Sequence, residues 1–350
     1  MKATYKKYIL DFKRASGTSR GVLTQKETWF LSLEENSKIG VGECGILRGL
    51  SHDDVSNYEE QLQWTCANIN MGKERLWTAL KDFPSIQFGV EQAFLSLNSE
   101  NPFNLFTSGF TEKRSPIPIN GLIWMGDESY MHEQIQQKLD EGFRCIKMKI
   151  GAIDFDKEIS VLQSIRGKYS KNEIELRVDA NGAFAPKDAL QKLNILAGLD
   201  IHSIEQPIKP GNLSQMKELC LKTPIAIALD EELIGISELD KKEALLKFIR
   251  PQYIILKPSL VGGYKGSQEW IDLAKKYNIE WWVTSALESN IGLNAIAQWT
   301  YTLKNPLPQG LGTGSLYINN LESPLTVAEG NLYYDGNKNW KTNLINELCT

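Results

Sequence analysis

Five charged residues close five short apolar segments of this chain. Lys149 is the last residue but one of Ile146 to Ile150, Asp179 ends Leu176 to Asp179, and Glu205 ends Ile201 to Glu205. Asp230 ends Ile225 to Asp230, and Lys257 ends Tyr253 to Lys257. The gaps between them are 30, 26, 25 and 27 residues, about the length of one strand-plus-helix unit. Strand side chains alternate between faces with period two. In the second segment Leu176 and Val178 take one face, leaving Arg177, Asp179 and then Asn181 on the other. Lys147 shares a face with Lys149 in the same way. The charges therefore belong to one inner surface, where each must be paired or bind a metal. Three carboxylates, Asp179, Glu205 and Asp230, make an all-oxygen site for a hard divalent cation. Magnesium is the natural candidate, with manganese as a substitute. Lysines flank that site, and a lysine beside a divalent cation and a second lysine loses part of its preference for the ammonium form. Such a lysine suits general-base work near neutral pH. The competing reading, a structural ring of salt bridges, explains any one of the five more readily than all five at one spacing and one parity.

These residues need elements to carry them. From Ile117 to about Leu311, short apolar strands alternate with helical stretches. The strands fall at Ile117–Asn120, 145–150, 174–179, 201–205, 225–230, 253–257 and 281–285, with an eighth around Leu311. Eight such units predict a closed parallel barrel, whose C-terminal rim would gather the five charges. No GxGxxG follows a strand, which argues against an open dinucleotide-binding sheet. The glycine-rich run Val261 to Gly266 is a weak candidate for a phosphate cradle. Residues 1–115 read differently: strands at Tyr5–Phe12, Glu27–Leu33 and Ile39–Glu43, then helical stripes such as Leu62, Cys66, Ile69 and Val90, Phe94, Leu97. They predict an α+β domain, with a barrel over 116–321 and a tail, 322–350, that returns to the first domain.

Composition bounds the rest. The 350 residues are 42% hydrophobic and 23% charged, as in a folded globular chain. Thirty-nine basic residues against 43 acidic ones leave a net charge of −4, without the basic footprint of a nucleic-acid partner. No apolar run reaches the roughly 18 residues of a membrane span. The start lacks the apolar core and cleavage site of a signal peptide, so a cytoplasmic protein is expected. Cys44, Cys66, Cys145, Cys220 and Cys349 include no CxxC pair and read as reduced packing residues.

The run KMK, DAN, EQP, LDE and LKP resembles the enolase superfamily, in its muconate-lactonizing-enzyme-like subgroup. That resemblance covers most of the chain. It implies a modified TIM-type (β/α)7β barrel under an N-terminal α+β capping domain. It also implies that Asp179, Glu205 and Asp230 bind magnesium while Lys149 and Lys257 face each other across a small carboxylate substrate. Acid-sugar dehydratases of the superfamily use a barrel histidine, but His52, His132 and His202 are not placed for that role. Dipeptide epimerases usually carry a DxD near the eighth strand, and Gln309 to Leu316 has no acid. The stretches Gly42–His52, Ile255–Gly263 and Thr284–Gly292 resemble the branch that forms o-succinylbenzoate on the route to menaquinone. The implied reaction is a magnesium-dependent syn-dehydration of 2-succinyl-6-hydroxy-2,4-cyclohexadiene-1-carboxylate. Lys149 would be base and then acid, and Lys257 would stabilise the enediolate. The alternative is a racemase or epimerase of N-acylamino acids or dipeptides using the same two lysines. Lys147 would hold the carboxylate, tune Lys149 or form a rim ion pair. Arg177 and Asn181 would support the metal carboxylates. Arg20, Arg48 and Leu50 of the cap and Thr284 and Ser285 of the barrel are candidate substrate contacts, and Trp124 a pocket wall. By strand parity Glu231 would point outward.

Overall fold

In a computed structural model, residues 1–18, 21–341 and 344–349 are described. The first three strands, β1 (Lys2–Thr18), β2 (Gly21–Glu35) and β3 (Lys38–Gly45), form an antiparallel meander. Along β2, Trp29, Leu31 and Leu33 alternate onto one face. Helices α1 (Tyr58–Ala67), α2 (Lys73–Ala79) and α3 (Pro84–Asn98) cover it, burying Leu62, Leu76, Val90, Ala93 and Leu97 in a cap core. A short helix, α4 (Gly109–Lys113), leads out of the cap.

The barrel's first strand differs from the sequence expectation. Ile117–Pro118 forms β4, which pairs with the tail and gives the barrel its Pro118 carbonyl, an acceptor for Gln309 N at 2.8 Å. Pro116 and Pro118 have no N–H to give a parallel ladder. The barrel instead begins at β5 (Gly121–Ile123), followed by α5 (Glu128–Asp140) and β6 (Cys145–Lys149). Next come α6 (Phe155–Arg166), β7 (Glu175–Asp179), α7 (Pro186–Ala197), β8 (Ser203–Glu205) and α8 (Leu213–Lys222). Then follow β9 (Ala226–Leu229), α9 (Leu239–Ile249), β10 (Tyr253–Leu256), α10 (Pro258–Val261), α11 (Gly263–Lys276), β11 (Glu280–Val283) and α12 (Asn290–Thr302). The parallel sheet runs β5 to β11 in sequence order. Gln309 and Gly310 bridge its two edges, pairing with Ile119 and Thr284. This minimal eighth strand completes a (β/α)7β barrel. The outward side chains Ile146, Met148, Leu176, Val178, Ile204, Ile227 and Leu229 pack against the helices. The tail forms a hairpin, β12 (Leu325–Ala328) and β13 (Asn331–Tyr334), on β4. It ends in α13 (Leu344–Cys349), whose Leu344 and Leu348 pack with Phe30 and Val41 of the cap.

Cap and barrel are joined by buried carboxylates seated on barrel helices. Glu91 of α3 accepts from the backbone N–H of Tyr264 at 2.5 Å and of Lys265 at 3.2 Å, at the first turn of α11. Free N–H groups and the helix dipole favour an anion there. The glycine-rich run of the sequence is thereby explained. Gly263 has φ +72°, and a Cβ on it would lie 2.1 Å from Glu91 Oε2. The anion that this loop cradles is the protein's own carboxylate. Glu43 of β3 does the same at α12, accepting from Ser289 N at 2.9 Å and Gly292 N at 2.8 Å.

Burial raises the Glu91 carboxyl to about 7, against the two N–H bonds. The folded protein thus keeps a proton that the unfolded chain gives up at its ordinary, lower value. Stability contributed by that proton is present at acid pH and is lost as pH rises through about 7. The thermal midpoint should fall as pH rises from 5.5 to 8, and Glu91→Gln should flatten that slope by roughly 2–5 °C. A calorimetric pH series on both proteins measures it.

Candidate active site

The five charges meet at one end of the barrel. Lys149 is in register with Asp179, and Asp179 with Glu205, so strands β6, β7 and β8 deliver them at one level. Asp230 follows β9 and Lys257 follows β10. Strands β6 and β10 are four positions apart in a barrel of eight. Lys149 and Lys257 therefore stand on opposite walls, with the carboxylates on the arc between them.

Lys147 Nζ donates to Glu205 Oε2 and lies 3.0 Å from Asp179 Oδ2. Lys149 Nζ donates to Asp179 Oδ2 at 2.9 Å and to Asn181 Oδ1 at 2.7 Å. Lys257 Nζ donates to Asp230 Oδ2. Burial works against the charged form of Asp179, but Lys147, Lys149 and Lys257 outweigh it and hold that carboxyl below its usual range. Glu205 goes the other way: burial, then the neighbouring Asp179, pushes it well up. Lys147 and Lys257 are opposed by burial, yet the carboxylates beside them raise both ammonium groups. The sequence expectation of a lowered lysine thus requires a further cation to take over the carboxylates.

Among the described residues, no three His, Cys, Asp or Glu side chains already converge as a cage for an ion. The donor set nevertheless fits one. Glu205 is 2% exposed, and its Oε1 has no hydrogen-bond partner. Asp179 and Asp230 are equally buried, and all the donors are hard oxygens. Asp179, Glu205 and Asp230 would hold the cation once the ammonium groups of Lys147 and Lys257 swing aside.

Above this layer opens a cavity of about 480 Å³. Lys147, Lys149, Asp179, Asn181 and Lys257 line its floor, and Trp124, Leu50, Thr284 and Ser285 its walls. Ser285 Oγ lies 2.6 Å from Thr313 Oγ1. Arg48 reaches the rim with its guanidinium held by Glu27 and by Asp54. Arg20 lies outside the described residues. None of the three histidines lines the cavity among the described residues.

Two sequence expectations need correction. Arg177 makes no hydrogen bond or ion pair to Asp179, Glu205 or Asp230 among the described residues. It shares the inner face of β7 but sits one layer lower, donating to Glu175 at 2.7 Å and Pro308 O at 3.0 Å, with its guanidinium 4.2 Å from the Trp282 ring. Glu231 does not point outward. Strand β9 stops at Leu229 and the chain turns through a 3-10 helix, Glu231–Leu233, so the period-two rule lapses. Glu231 lines the cavity and accepts from Asn181 Nδ2 at 2.9 Å. Sequence reasoning also passed over Gln206, whose Oε1 accepts from the Asp230 and Glu232 N–H groups. Its place in the EQP run was the available signal.

A closed barrel with lysines on opposite walls, carboxylates between them and an α+β cap above is the architecture of an enolase-type enzyme. The chain matches the family Enolase C-terminal domain-like over residues 130–336 and the family MenC, N-terminal domain over residues 2–97. It is 46% identical to the o-succinylbenzoate synthase of Desulfotalea psychrophila, over 94% of this chain and 98% of that one. The crystal structure of MenC from the same organism superposes with a TM-score of 0.85 at 43% identity, covering 95% of this chain and 99% of that one. A dipeptide epimerase from Enterococcus faecalis, complexed with Mg and L-Leu-L-Tyr, superposes at TM-score 0.82 and 19% identity, covering 95% and 96%. At that identity it shares the fold alone. This chain belongs to the o-succinylbenzoate synthase family of the enolase superfamily.

Carboxylates that lysines neutralise should gain from a divalent cation that binds the folded state alone. Millimolar magnesium should raise the thermal midpoint by a few degrees, roughly what 1–2 kcal/mol supplies. EDTA should reverse the gain and Glu205→Gln should abolish it. Differential scanning fluorimetry reads all three.

Proposed function

We propose that the protein is a carbon–oxygen hydro-lyase that converts 2-succinyl-6-hydroxy-2,4-cyclohexadiene-1-carboxylate to o-succinylbenzoate, a step toward menaquinone. The observation that carries the reading is the pair of lysines facing each other across one cavity beside three buried carboxylates, in a chain of this family. Magnesium on Asp179, Glu205 and Asp230 would supply Lewis-acid stabilisation of the substrate carboxylate as negative charge grows on it.

The chain's own groups account for the proton movements. Lys149 Nζ, as the free amine, takes the proton from the carbon alpha to the ring carboxylate. The electron pair of that C–H bond moves into the carboxylate to give an enediolate. Lys257, on the opposite wall, presents its ammonium to that growing charge. The pair then returns to form the ring double bond as the neighbouring C–O bond breaks. Lys149, now protonated, gives its proton to the departing hydroxide, which leaves as water on the same face. One lysine thus serves as base and acid, and the amine is regenerated. Asn181 Oδ1 fixes Lys149 Nζ on the side of Asp179. The hydroxyl of Ser285 and the apolar walls Trp124 and Leu50 would receive the succinyl arm.

The opposed lysines also suit proton exchange on both faces of one carbon, as an N-acylamino acid racemase or dipeptide epimerase requires. Incorporation of solvent deuterium at the alpha carbon of such substrates would reveal it.

Purified protein with magnesium should discharge the diene absorbance of the cyclohexadiene substrate, and EDTA should stop it. No loss, with folded and metal-loaded protein, would refute this substrate. Lys149→Ala and Lys257→Ala should each lower kcat by roughly 10³-fold or more while circular dichroism stays unchanged. Near-normal turnover of Lys149→Ala would remove it as the base.

A further inference from the structure

A second group of buried charges lies where the cap meets the barrel. It comprises Lys26 on β2, Glu43 on β3 and Glu288 between β11 and α12, at 4%, 0% and 1% exposure. The reaction above uses none of them. Glu288 Oε1 accepts from Ser259 Oγ at 2.5 Å, and its Oε2 accepts from the Ala286 N–H at 2.7 Å. Ser259 stands two residues beyond Lys257, in a turn closed by the Leu260 N–H on Lys257 O at 2.8 Å. Ala286 follows Ser285, and both line the cavity. A single carboxylate therefore ties the turn that carries Lys257 to the loop that carries Ser285.

The cap holds the far side of that loop. Glu43 takes the Ser289 hydroxyl at 2.5 Å as well as the α12 N–H groups. Between the two anchors Leu287 has φ +60°, a region a branched side chain rarely adopts. Its carbonyl accepts from Tyr317 Oη at 2.7 Å. The strain persists because both neighbours are pinned. Burial pushes the Glu288 carboxyl up, and Lys26 is the foremost opposing influence. Lys26 Nζ is buried with no hydrogen-bond partner. A Cβ on Gly45 would lie 2.6 Å from that nitrogen and 3.6 Å from Glu43 Oε1, and one on Gly292 would lie 2.8 Å from Glu288 Cγ and 2.9 Å from Glu43 Oε2, so Glu43 links Lys26 to Glu288. Its charge is shared by field rather than spent on one contact.

We propose that Glu288 is a positioning residue that sets the spacing between Lys257 and the Ser285 loop, and that Lys26 of the cap supplies the charge that keeps it in place. Cap docking and the geometry of the enediolate-stabilising lysine are then one property. The kinetic part of this proposal rests on the lyase reading above.

Glu288→Gln and Ser259→Ala should each lower kcat by roughly 10–100-fold, since small displacements of a reacting group cost that much. The loss in kcat should exceed the rise in KM that a shifted Ser285 hydroxyl brings, and the pH profile should keep its shape, because Lys149 and the metal carboxylates are untouched. Ser259→Thr, which retains the hydroxyl, should restore kcat. Combining Ser259→Ala with Glu288→Gln should cost no more than either alone. Hydrogen exchange should quicken in residues 257–261 and 284–288 together, with α9 unchanged, and Lys26→Met should produce the same pattern. If Glu288→Gln fails to fold, the Ser259 pair decides. Folded variants with kcat within about twofold of wild type, or exchange that quickens in 284–288 alone, would overturn the proposal. Should the wild-type protein not turn over the substrate, the lyase reading falls and the exchange pattern alone decides the coupling.

Discussion

Charge held out of water at the barrel mouth governs the rest of this molecule. Asp179, Glu205 and Asp230 are almost wholly buried, and three lysines meet them there. An uncompensated carboxylate in such a place costs several kcal/mol. The parallel barrel tolerates the cluster because neighbouring strands deliver opposite charges in register, Lys149 beside Asp179 beside Glu205. The compensation is incomplete, with Glu205 Oε1 left alone and Glu205 itself pushed toward its neutral form. That residual imbalance leaves the mouth short of a finished set of salt bridges, and the proposed divalent cation would complete it.

The same economy of buried charge joins the two domains. Glu91 and Glu43 leave the cap and end on the N-termini of α11 and α12. Each satisfies N–H groups that no residue of its own helix can reach. The cap therefore does not rest on the barrel as a loose lid over its core. Its sheet and α3 are bonded into the helices behind β10 and β11, the strands that present Lys257 and the Thr284–Ser285 wall. The cavity is lined from both domains, by Leu47, Arg48 and Leu50 above and by the lysines below.

Much of the site was legible because strand ends obey two simple periods. One unit of about 26 residues returns the chain to the same rim, and alternation within a strand says which side chains face inward. Those two rules place Lys147, Lys149, Asp179, Glu205, Asp230 and Lys257. They fail where their premise fails. Glu231 was assigned outward because the alternation was carried past Leu229, where the strand had already become a turn. Arg177 obeys the parity rule but lies a layer below the carboxylates, a height that alternation does not encode. Prolines 116 and 118 shifted the first barrel strand, a local signal that the apolar pattern of Ile117–Ile119 masked.

The sequence by itself determined the alternation of strands and helices that builds the barrel, the inward face of Lys147, Lys149, Asp179, Glu205, Asp230 and Lys257, and the family, since these depend on residue type and spacing along the chain. Only the tertiary structure decided which charges pair, what fills the glycine-rich loop and which residues couple the cap to Lys257. Glu91 and Tyr264 are 173 residues apart, and Glu43 and Ser289 are 246 apart. No local pattern links such pairs. They meet because the barrel closes through Gln309 and Gly310, brings α11 and α12 beneath the cap, and leaves helix N–H groups that a distant carboxylate must satisfy.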